Sequence, residues 1–465
     1  MFEPKGAQRE ALKRSRGKMG FGYFLEQGLG KTATTYCDFL DHAVDGHVDR
    51  MVTLAPNSFK GGWADEADKF GFPITPIVFE SGNINHLPAL FRRGFNTRPN
   101  LIVNYDAIRS QSTLDIIAEF VRGRNAYIAA DESIKLKDPS TSTVKAALEL
   151  VQQFEMRRVL SGKPISQGPH DLWAQMRFIG QLNGRLYYPF KTAFCRMGGF
   201  KMKQVIGAQN EDILAELIDP HVFRATKADW TDLPPKSYTT REYKMSPEQL
   251  SMYRRMEEEF VLWLENGEDV SVDTAITKYI KLAQIQAGFI IDAEKKVHLL
   301  VDPKKNARLN VLEEIIEDEI VGKASVVYNH KVVRPMLMER FAKLNPAVIC
   351  GGMTPEEIRE QKERFNNDKS CRIILLTKAA KYGHTLLGSE ESENHCSTQI
   401  YYENTYSLDD RSQLEDRSHR YGQLGEMMSY YDIVGTPLDR DATRALQRKE
   451  SVFQAVFNHV GKRRR

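Results

Sequence analysis

Residues 24–36, FLEQGLGKTATTY, place a glycine-rich turn between an apolar stretch and a helical pattern. Glycines let backbone N–H groups curl around phosphate oxygens, and the helix N-terminus adds partial positive charge. Lys31 can then reach the β- and γ-phosphates, and Thr32 can ligate Mg²⁺. The full phosphate-loop pattern has glycine at position 25, where this chain has Leu25, so an ordinary turn is the alternative. The residues predicted to bind a nucleoside triphosphate here are Gly28, Leu29, Gly30, Lys31 and Thr32.

An acidic pair, Asp131-Glu132, ends the apolar run YIAADE. At the carboxyl end of a strand, one acid can help to hold Mg²⁺ while the other orients or deprotonates an attacking water. An Asp-Glu pair by itself is usually only the exit from a strand into a loop. Its position at a strand end and its order after Lys31 favour the catalytic interpretation.

The segment QLEDRSHRYGQ brings Arg417 and Arg420 to i, i+3 spacing, which is one face if the segment is helical. Arginine supplies a permanent forked charge that suits the negative charge developing on a transferring γ-phosphoryl group. The alternative is a surface salt-bridge cluster with Glu415 and Asp416. Because these arginines and the phosphate loop fall in different halves of the chain, the functional interpretation requires them to act across a cleft between two lobes.

Eight short, continuously apolar runs predict the elements that position these residues. Such runs are typical of strands buried on both faces, so they indicate parallel strands in α/β units. Between them, residues 181–300 have longer helical patterns, interrupted by Leu233-Pro234-Pro235, which suggests a stiff connection. The predicted fold is therefore α/β with two lobes and a helical insertion. The runs begin at Met51, Leu101, Tyr127, Arg157, Ala324, Ala347, Arg372 and Thr398.

Length and composition restrict the class of protein. A chain of 465 residues predicts two or three domains at roughly 150 residues per domain. The net charge of +3 is too small to argue for nucleic acid, so a polyanion site must be a local patch, such as residues 5–18 or 462–465. The five cysteines have no zinc-ligand spacing. No secretory or membrane-spanning segment is predicted, and we expect a cytoplasmic protein.

In order along the chain, these motifs resemble those of the Swi/Snf-like family of ATP-dependent double-stranded DNA translocases, in helicase superfamily two. GLGKT and the Asp-Glu box resemble its ATP-binding motifs, and QLEDRSHRYGQ resembles its Q-A-x-D-R-x-H-R-x-G-Q hallmark. Further segments that resemble family motifs are EPKGAQ with Gln8, LAPNSFKGGW, LSGKPISQGPHDLW, FRATKADW, LPPK, YNHK, GGMTPEEIREQKERFNN and LLTKAAKYGHTLL.

The resemblance implies two RecA-like α/β lobes that hydrolyse ATP at their interface. The expected domains are an ATP-binding lobe (1–180), helical protrusions with the linker (181–300), and a second lobe with a basic tail (301–465). A bare motor without accessory modules, acting as a monomer, is expected.

The resemblance also assigns roles to individual residues. Gln8 is expected to read adenine, Thr32 and Asp131 to hold Mg²⁺, and Glu132 to be the catalytic base. Arg417 and Arg420 are the expected finger arginines, with Gln413 beside them. Backbone contacts to duplex DNA, which position a protein without reading sequence, are expected from Lys60, Tyr105, Lys331 and Thr377.

Three departures from the family pattern concern coupling rather than phosphate binding. Ile134 replaces a histidine in the Asp-Glu box, and Lys163 stands where the family has threonine. Lys381 and Tyr382 occupy a usually glycine-rich stretch before Gly383.

Two groups of residues are predicted to be structural. His419 is expected to pack or form a hydrogen bond, since phosphoryl transfer needs little acid-base chemistry from protein. Trp63 and Trp173 are expected to pack rather than to stack on bases.

The predicted function is an ATPase that moves along duplex DNA and remodels or displaces what is bound there. The alternatives are a strand-separating or annealing helicase, an ATPase that releases stalled RNA polymerase, and a DNA-binding scaffold that has lost turnover.

Overall fold

A computed structural model describes residues 2–182, 184–198, 204–265, 272–381, 385–389, 394–405, 407–420 and 422–459. The chain divides into two compact units: unit 1 is Met1–Asp232 with Arg448–Arg465, and unit 2 is Leu233–Gln447. This division falls directly before the Leu233-Pro234-Pro235 stretch. Residues 181–300, grouped together in the sequence analysis, therefore contribute to both units.

Unit 1 is built on a parallel sheet with helices between successive strands. Its strands are β1 (Gly20–Leu25), β2 (Arg50–Ala55), β3 (Ile74–Val78), β4 (Arg98–Asn104), β5 (Ala126–Ala130), β6 (Met156–Leu160), β7 (Cys195–Gly198), β8 (Gln204–Ala208) and β9 (Val222–Ala225). Its helices are α1 (Gly6–Ser15), α2 (Lys31–Val44), α3 (Lys60–Phe70), α4 (Leu87–Arg93), α5 (Gln111–Val121), α6 (Ser142–Leu150), α7 (Leu172–Phe178), α8 (Tyr187–Phe194), α9 (Glu211–Ile218) and α10 (Lys227–Trp230).

The seven-stranded sheet of unit 1 has the order β3-β4-β2-β5-β6-β1-β9, and its pairings are parallel. Alternate side chains of a strand enter opposite cores: Val52 and Leu54 of β2 pack on one face, and Met51 and Ala55 on the other. Burial on both faces explains the continuously apolar runs. Strands β7 and β8 form a separate antiparallel hairpin.

Unit 2 has a second parallel sheet. Its strands are β10 (Lys236–Glu242), β11 (Phe289–Ile291), β12 (Val297–Leu299), β13 (Lys323–Val327), β14 (Ala347–Ile349), β15 (Ile373–Leu376), β16 (Cys396–Tyr401) and β17 (Met428–Val434). The helices that begin in it are α11 (Pro247–Glu265), α12 (Val272–Ala287), α13 (Ala307–Glu314), α14 (Val333–Arg340), α15 (Pro355–Asn367), α16 (Leu408–Glu415) and α17 (Pro437–His459). The sheet order is β10-β17-β16-β13-β15-β14, all parallel, and β11 and β12 form a hairpin.

The prediction of two α/β units with parallel sheets is confirmed. All eight apolar runs are strands of the two large sheets: β2, β4, β5 and β6 in unit 1, and β13 to β16 in unit 2. The sheets also contain β1, β3, β9, β10 and β17, which the apolar runs did not predict.

A buried ionic cluster holds α2, the helix that follows the glycine-rich turn, against the sheet. The Asp38 carboxylate on α2 accepts hydrogen bonds from the Arg158 guanidinium at 2.8 Å, the Tyr127 hydroxyl at 2.8 Å and the Ser15 hydroxyl at 3.1 Å. Burial by itself raises the pKa of Asp38, but Arg158 and the other partners outweigh it and lower the pKa. Helix α2 is thereby fixed to α1, β5 and β6.

Some sequence predictions fall outside this description. Tyr382, Gly383 and the basic tail 462–465 lie outside the described residues, as does the side chain of Lys381. In the described part of the chain, no helix combines the length and apolar character needed to cross a bilayer.

Candidate functional site

The glycine-rich turn joins β1, which ends at Leu25, to α2, which begins at Lys31. Gly28 and Gly30 have φ values of +90° and +79°, in the region that favours glycine. A Cβ on Gly30 would also lie 2.0 Å from Gln8 Nε2, so a side chain there would displace Gln8. Because Leu25 is the last strand residue, the turn needs no glycine at that position.

Gln8 lies against this turn. Its Nε2 donates to the Leu29 carbonyl at 3.3 Å, and its Oε1 accepts from the Lys5 backbone N–H at 2.9 Å. The structure therefore brings Gln8 to the predicted nucleotide site from α1. Adenine reading by Gln8 stays a prediction.

Lys31 links the turn to the acidic pair. Its ammonium donates to the Leu25 carbonyl at 3.4 Å and lies 3.9 Å from Glu132 Oε1. Both side chains are about nine-tenths buried, with exposed fractions of 10% and 11%. The residues that sequence order alone grouped as one site are thus adjacent in space.

Asp131 follows β5 and is 3% exposed. Its Oδ2 accepts from Trp63 Nε1 at 2.9 Å, and its Oδ1 accepts from the Glu132 backbone N–H at 2.9 Å. Burial raises the pKa of Asp131, and the Lys31 charge and the Trp63 hydrogen bond offset part of this rise. A carboxylate offers about four lone-pair positions, so these two bonds leave capacity for a cation. With the buried Thr32 hydroxyl at the start of α2, the donor set is hard oxygen, which fits Mg²⁺.

Glu132 has φ +48° and ψ +54°, a left-handed conformation that is uncommon for a residue with a side chain. Its Oε1 accepts from Gln27 Nε2 at 3.4 Å. The Tyr105 hydroxyl donates to the Asp131 carbonyl at 2.7 Å and so helps to hold the backbone at Glu132 in this conformation. Backbone strain of this kind concentrates at functional sites, where the surroundings hold it in place.

The two arginines of unit 2 do not share a helical face. Helix α16 ends at Glu415, and Arg417 and Arg420 lie in the turn that follows it. Their i, i+3 spacing would place them on one face only in a helix, and this segment is not helical. Arg417 is 6% exposed, and its Nε donates to the Gln413 carbonyl at 2.8 Å. Gln413 is also buried, and its Nε2 donates to Asp409 Oδ1 at 2.8 Å.

The surface salt-bridge alternative for this segment does not hold for Glu415. That side chain is 5% exposed and pairs with Lys236 at 2.8 Å and with Arg411 at 3.0 Å. The acid is therefore part of a buried cluster inside unit 2 rather than of a solvated face.

The residues expected to contact DNA have different surroundings. Lys60 is 4% exposed, and its ammonium is bound by the Phe79 carbonyl at 2.7 Å and Glu80 Oε1 at 2.8 Å. Tyr105 is buried beside Asp131, as described above. Both side chains are engaged in contacts inside unit 1, and their DNA contacts stay predictions. Lys331 is exposed and Thr377 is half-buried, and their DNA contacts stay predictions.

Sequence reasoning missed the groups that hold the acidic pair. Trp63 is fully buried, as predicted, but its indole N–H also donates a hydrogen bond to Asp131, which was not predicted. The Gln27 side chain donates a hydrogen bond to Glu132. A signal existed for Trp63, because a buried indole N–H requires a hydrogen-bond acceptor. Ile134, in place of the family's histidine, is packed at 4% exposure, while Lys163 is half-buried.

A glycine-rich turn between a parallel strand and a helix, with a lysine beside a buried Asp-Glu pair, is the arrangement typical of nucleotide-binding sites of the P-loop class. Comparison with protein families gives a more specific assignment. The profile of the SNF2-related domain matches residues 16–288, more than half of the chain, and the chain belongs to this family.

Two curated proteins with similar sequences are longer than this chain. An uncharacterized ATP-dependent helicase of Mycoplasma pneumoniae is 23% identical over 460 residues, covering 97% of this chain and 42% of that protein. The SWI/SNF-related matrix-associated actin-dependent regulator of chromatin subfamily A-like protein 1 of Xenopus laevis is 23% identical over 92% of this chain and 41% of its own length. The chain thus spans about two fifths of these two relatives. A solved SWI2/SNF2 ATPase core of Sulfolobus solfataricus with dsDNA aligns with 99% of this chain and 94% of its own, at 21% identity and a TM-score of 0.43.

Proposed function

We propose that this chain is an ATP-dependent motor that moves along duplex DNA and displaces or remodels what is bound there. The observation that carries the proposal is the placement of the Lys31 ammonium 3.9 Å from Glu132, between the phosphate-binding turn and the Asp-Glu pair. Membership of the SNF2-related family and the name of a helicase relative support it.

The residues divide the chemistry of ATP hydrolysis among them. The backbone of the turn binds phosphate oxygens, and Lys31 exchanges its contacts with Leu25 and Glu132 for the terminal phosphates. Thr32 and Asp131 would hold Mg²⁺, which neutralises charge on the phosphates when it is bound. Glu132 then orients the attacking water and takes its proton.

In this proposal Arg417 and Arg420 stabilise charge on the transferred phosphoryl group. Their positive charge is permanent, so it needs no proton from solvent at the moment of reaction. The Nε bond to the Gln413 carbonyl would orient the Arg417 guanidinium, whose Nη groups would bind a phosphate oxygen.

The first test measures ATP turnover with duplex DNA, single-stranded DNA and RNA. We expect duplex DNA to raise the rate most, and Lys31→Ala and Glu132→Gln to abolish turnover while duplex binding survives. Lys145→Ala and Glu149→Gln, two exposed positions on α6, are matched controls that should retain wild-type rates. A rate that does not respond to duplex DNA would contradict the proposed substrate, and active Lys31→Ala protein would contradict the site.

A second test concerns the arginines. Arg417→Ala and Arg420→Ala should each lower turnover by roughly a thousandfold or more, the magnitude of an arginine finger. Arg359→Ala, which removes an exposed guanidinium paired with Glu356 on α15, should have no effect. Near-normal turnover in both variants would remove the arginines from the mechanism.

Movement along the duplex is tested separately from strand separation. Displacement of a third strand from a DNA triplex, with ATP and without unwinding of a forked duplex, is the expected result. Unwinding of the fork instead would favour the helicase alternative.

A further inference from the structure

Residues 227–236, here called the connector, join unit 1 to unit 2, and both of their ends are bound to predicted ATPase motifs. At the first end, the Lys227 backbone N–H donates to Glu26 Oε2 at 2.8 Å, and the Glu26 N–H donates to the Ala225 carbonyl at 3.0 Å. The Lys227 side chain is buried and runs alongside the phosphate-binding turn, since a Cβ on Gly28 would lie 3.8 Å from its Cε. The connector therefore starts at the nucleotide site of unit 1.

At the second end, three consecutive residues bind the part of unit 2 that carries the two arginines. The Pro234 carbonyl accepts from His419 Nε2 at 2.9 Å. The Pro235 carbonyl accepts from the Met428 N–H at 2.9 Å, and the Lys236 ammonium donates to Glu415 Oε2 at 2.8 Å. Two of these contacts fall on Glu415 and His419, the residues two positions before and after Arg417.

Glu415 is the centre of this attachment. In addition to the bond from Lys236, the Glu415 carboxylate accepts hydrogen bonds from the Tyr238 hydroxyl at 2.9 Å and from Arg411 Nε at 3.0 Å. Arg411 in turn donates to Asp432 on β17 at 2.6 Å. Burial lowers the pKa of Lys236, but Glu415 outweighs it and raises the pKa well above its usual value. The Lys236 ammonium is therefore charged over the whole physiological range.

The same two residues also set the turn that carries Arg417. The His419 backbone N–H donates to the Glu415 carbonyl at 3.0 Å, and the Arg417 N–H donates to the Leu414 carbonyl at 3.1 Å. Anchoring Glu415 and His419 to the connector thus fixes the turn from both sides of Arg417. Because proline locks φ and Pro234-Pro235 is stiff, this end of the connector has little freedom to absorb movement.

We propose that the connector positions the arginine-bearing turn for ATP turnover, with Lys236 and His419 as its positioning residues. The inference rests on the proposed function, because it assigns a role only if Arg417 and Arg420 act on ATP. A displacement of the phosphate-binding turn is passed along the chain from Lys227 to Lys236 and so reaches the arginines by a covalent route.

The test compares turnover in the full chain for variants at the second anchor. Lys236→Met should lower kcat by about a hundredfold, the cost of misplacing a group by about 1 Å, while the KM for ATP changes by less than about twofold. Lys236→Arg, which keeps the charge, should restore most of the rate. The double variant Lys236→Met/Glu415→Gln should be no worse than the poorer single variant, because both remove one interaction.

The control for a merely structural effect is Arg308→Met, which breaks a fully buried ion pair of unit 2, with Asp439 at 3.2 Å. We expect it to lower stability at least as much as Lys236→Met but to leave kcat unchanged in the folded protein. Equal losses of kcat in Arg308→Met and Lys236→Met would overturn the inference, as would unchanged kcat in Lys236→Met.

A length variant keeps the test decisive if Lys236→Met does not fold. Gly-Ser inserted between Thr231 and Asp232 keeps the contacts at both ends of the connector but makes the segment between them longer and more flexible. We expect kcat to fall. The same insertion between Ala293 and Glu294, exposed in the β11–β12 turn, should leave kcat unchanged. Unchanged kcat after connector insertion would overturn the inference, whereas wild-type protein without ATP turnover would overturn the proposed function itself.

Discussion

At the residue scale, the acidic pair depends on neighbouring groups that hold it in place. Glu132 holds a left-handed backbone that costs on the order of 1–3 kcal/mol. The Asp131 carboxylate and the Tyr105 hydroxyl hold that bend by bonding its N–H and its preceding carbonyl. Trp63 completes the arrangement by fixing the second carboxylate oxygen of Asp131. The orientation of the predicted Mg²⁺ ligand is therefore set by an aromatic residue of α3.

Trp63→Phe tests this orientation with little change in packing. Loss of the indole N–H leaves Asp131 Oδ2 without its 2.9 Å donor. We expect the Mg²⁺ concentration that gives half-maximal ATP turnover to rise by about tenfold or more, the usual effect of removing a group that orients a ligand. Trp173→Phe, which removes a half-buried indole bonded to the Arg185 carbonyl, is the matched control and should not change the Mg²⁺ response.

At the scale of elements, α2 is held at its first turn and at its middle by different kinds of interaction. Its first turn is fixed by the glycine-rich turn and Lys31, and its middle by the buried Asp38–Arg158 pair. Arg158 is fully buried, and its Nη1 also donates to the Met19 and Arg157 carbonyls at 3.0 Å. Such a pair fixes the position of the helix whose first turn carries the predicted phosphate ligands Lys31 and Thr32.

Arg158→Met is expected to lower the free energy of unfolding by about 3–5 kcal/mol, because it leaves the Asp38 carboxylate buried without its cation. Denaturant titration of the full chain measures this loss. Arg124→Met removes a partly exposed pair with Asp49 and should cost less than about 1 kcal/mol. Similar losses in the two variants would contradict the role of Asp38–Arg158 as the fixed point of α2.

The strands that sequence patterns did and did not predict differ in their surroundings. Val52 and Leu54 of β2 are buried in the sheet interior, and such runs were recognisable because they are apolar on both faces. Strand β10, KSYTTRE, lies at the edge of its sheet, and its residues alternate between exposed and half-buried, so no apolar run marks it. Strand β1 contains Gly20 and Gly22, whose lack of side chains allows neighbouring atoms to approach closely. These glycines interrupt the apolar run, so the sequence pattern did not mark β1 as a strand inside the sheet.

The two groups of predicted site residues, one in each unit, were predictable to different degrees. The turn, Lys31 and the Asp-Glu pair follow from local chemistry, and the structure brings them together. The setting of Arg417 could not be predicted, because it depends on where α16 ends and on partners such as Lys236 that are distant in sequence. Lys60 shows the same limit, since its partner Glu80 comes from a separate strand-loop segment.

At the scale of the whole molecule, the two units carry histidines with opposite responses to pH. Burial lowers the pKa of His42 in unit 1 below its ordinary 6.5, and Arg158 adds to this against the opposing effect of Asp38. In unit 2, burial also acts to lower the pKa of His330, but its 2.6 Å contact with Glu403 outweighs this and raises the pKa. His42 therefore favours folding in its neutral form and His330 in its charged form.

These signs predict two opposite pH trends. Stability from His330 is fully present below pH 6.5 and is lost as pH rises through its raised pKa, whereas His42 costs stability as pH falls below 6.5. From about pH 6 to about pH 8.5, the difference in unfolding free energy between wild type and His330→Gln should shrink. The difference between wild type and His42→Gln should grow over the same range. Unfolding free energies of the three proteins at both pH values check this, and parallel trends in the two variants would contradict it.

The register of β1 constrains how the polypeptide is made. Leu25 pairs with Ala225 across the sheet, so β1 leaves the ribosome long before its neighbour β9 exists. At roughly 5–20 residues per second, this apolar strand waits on the order of ten seconds or more for that partner. Strand β10 waits in the same way for β17. The nascent chain therefore exposes the apolar strand β1 and the unpaired backbone of β10 during translation, and its yield in a cell should depend on chaperones that shield them until their partner strands are made.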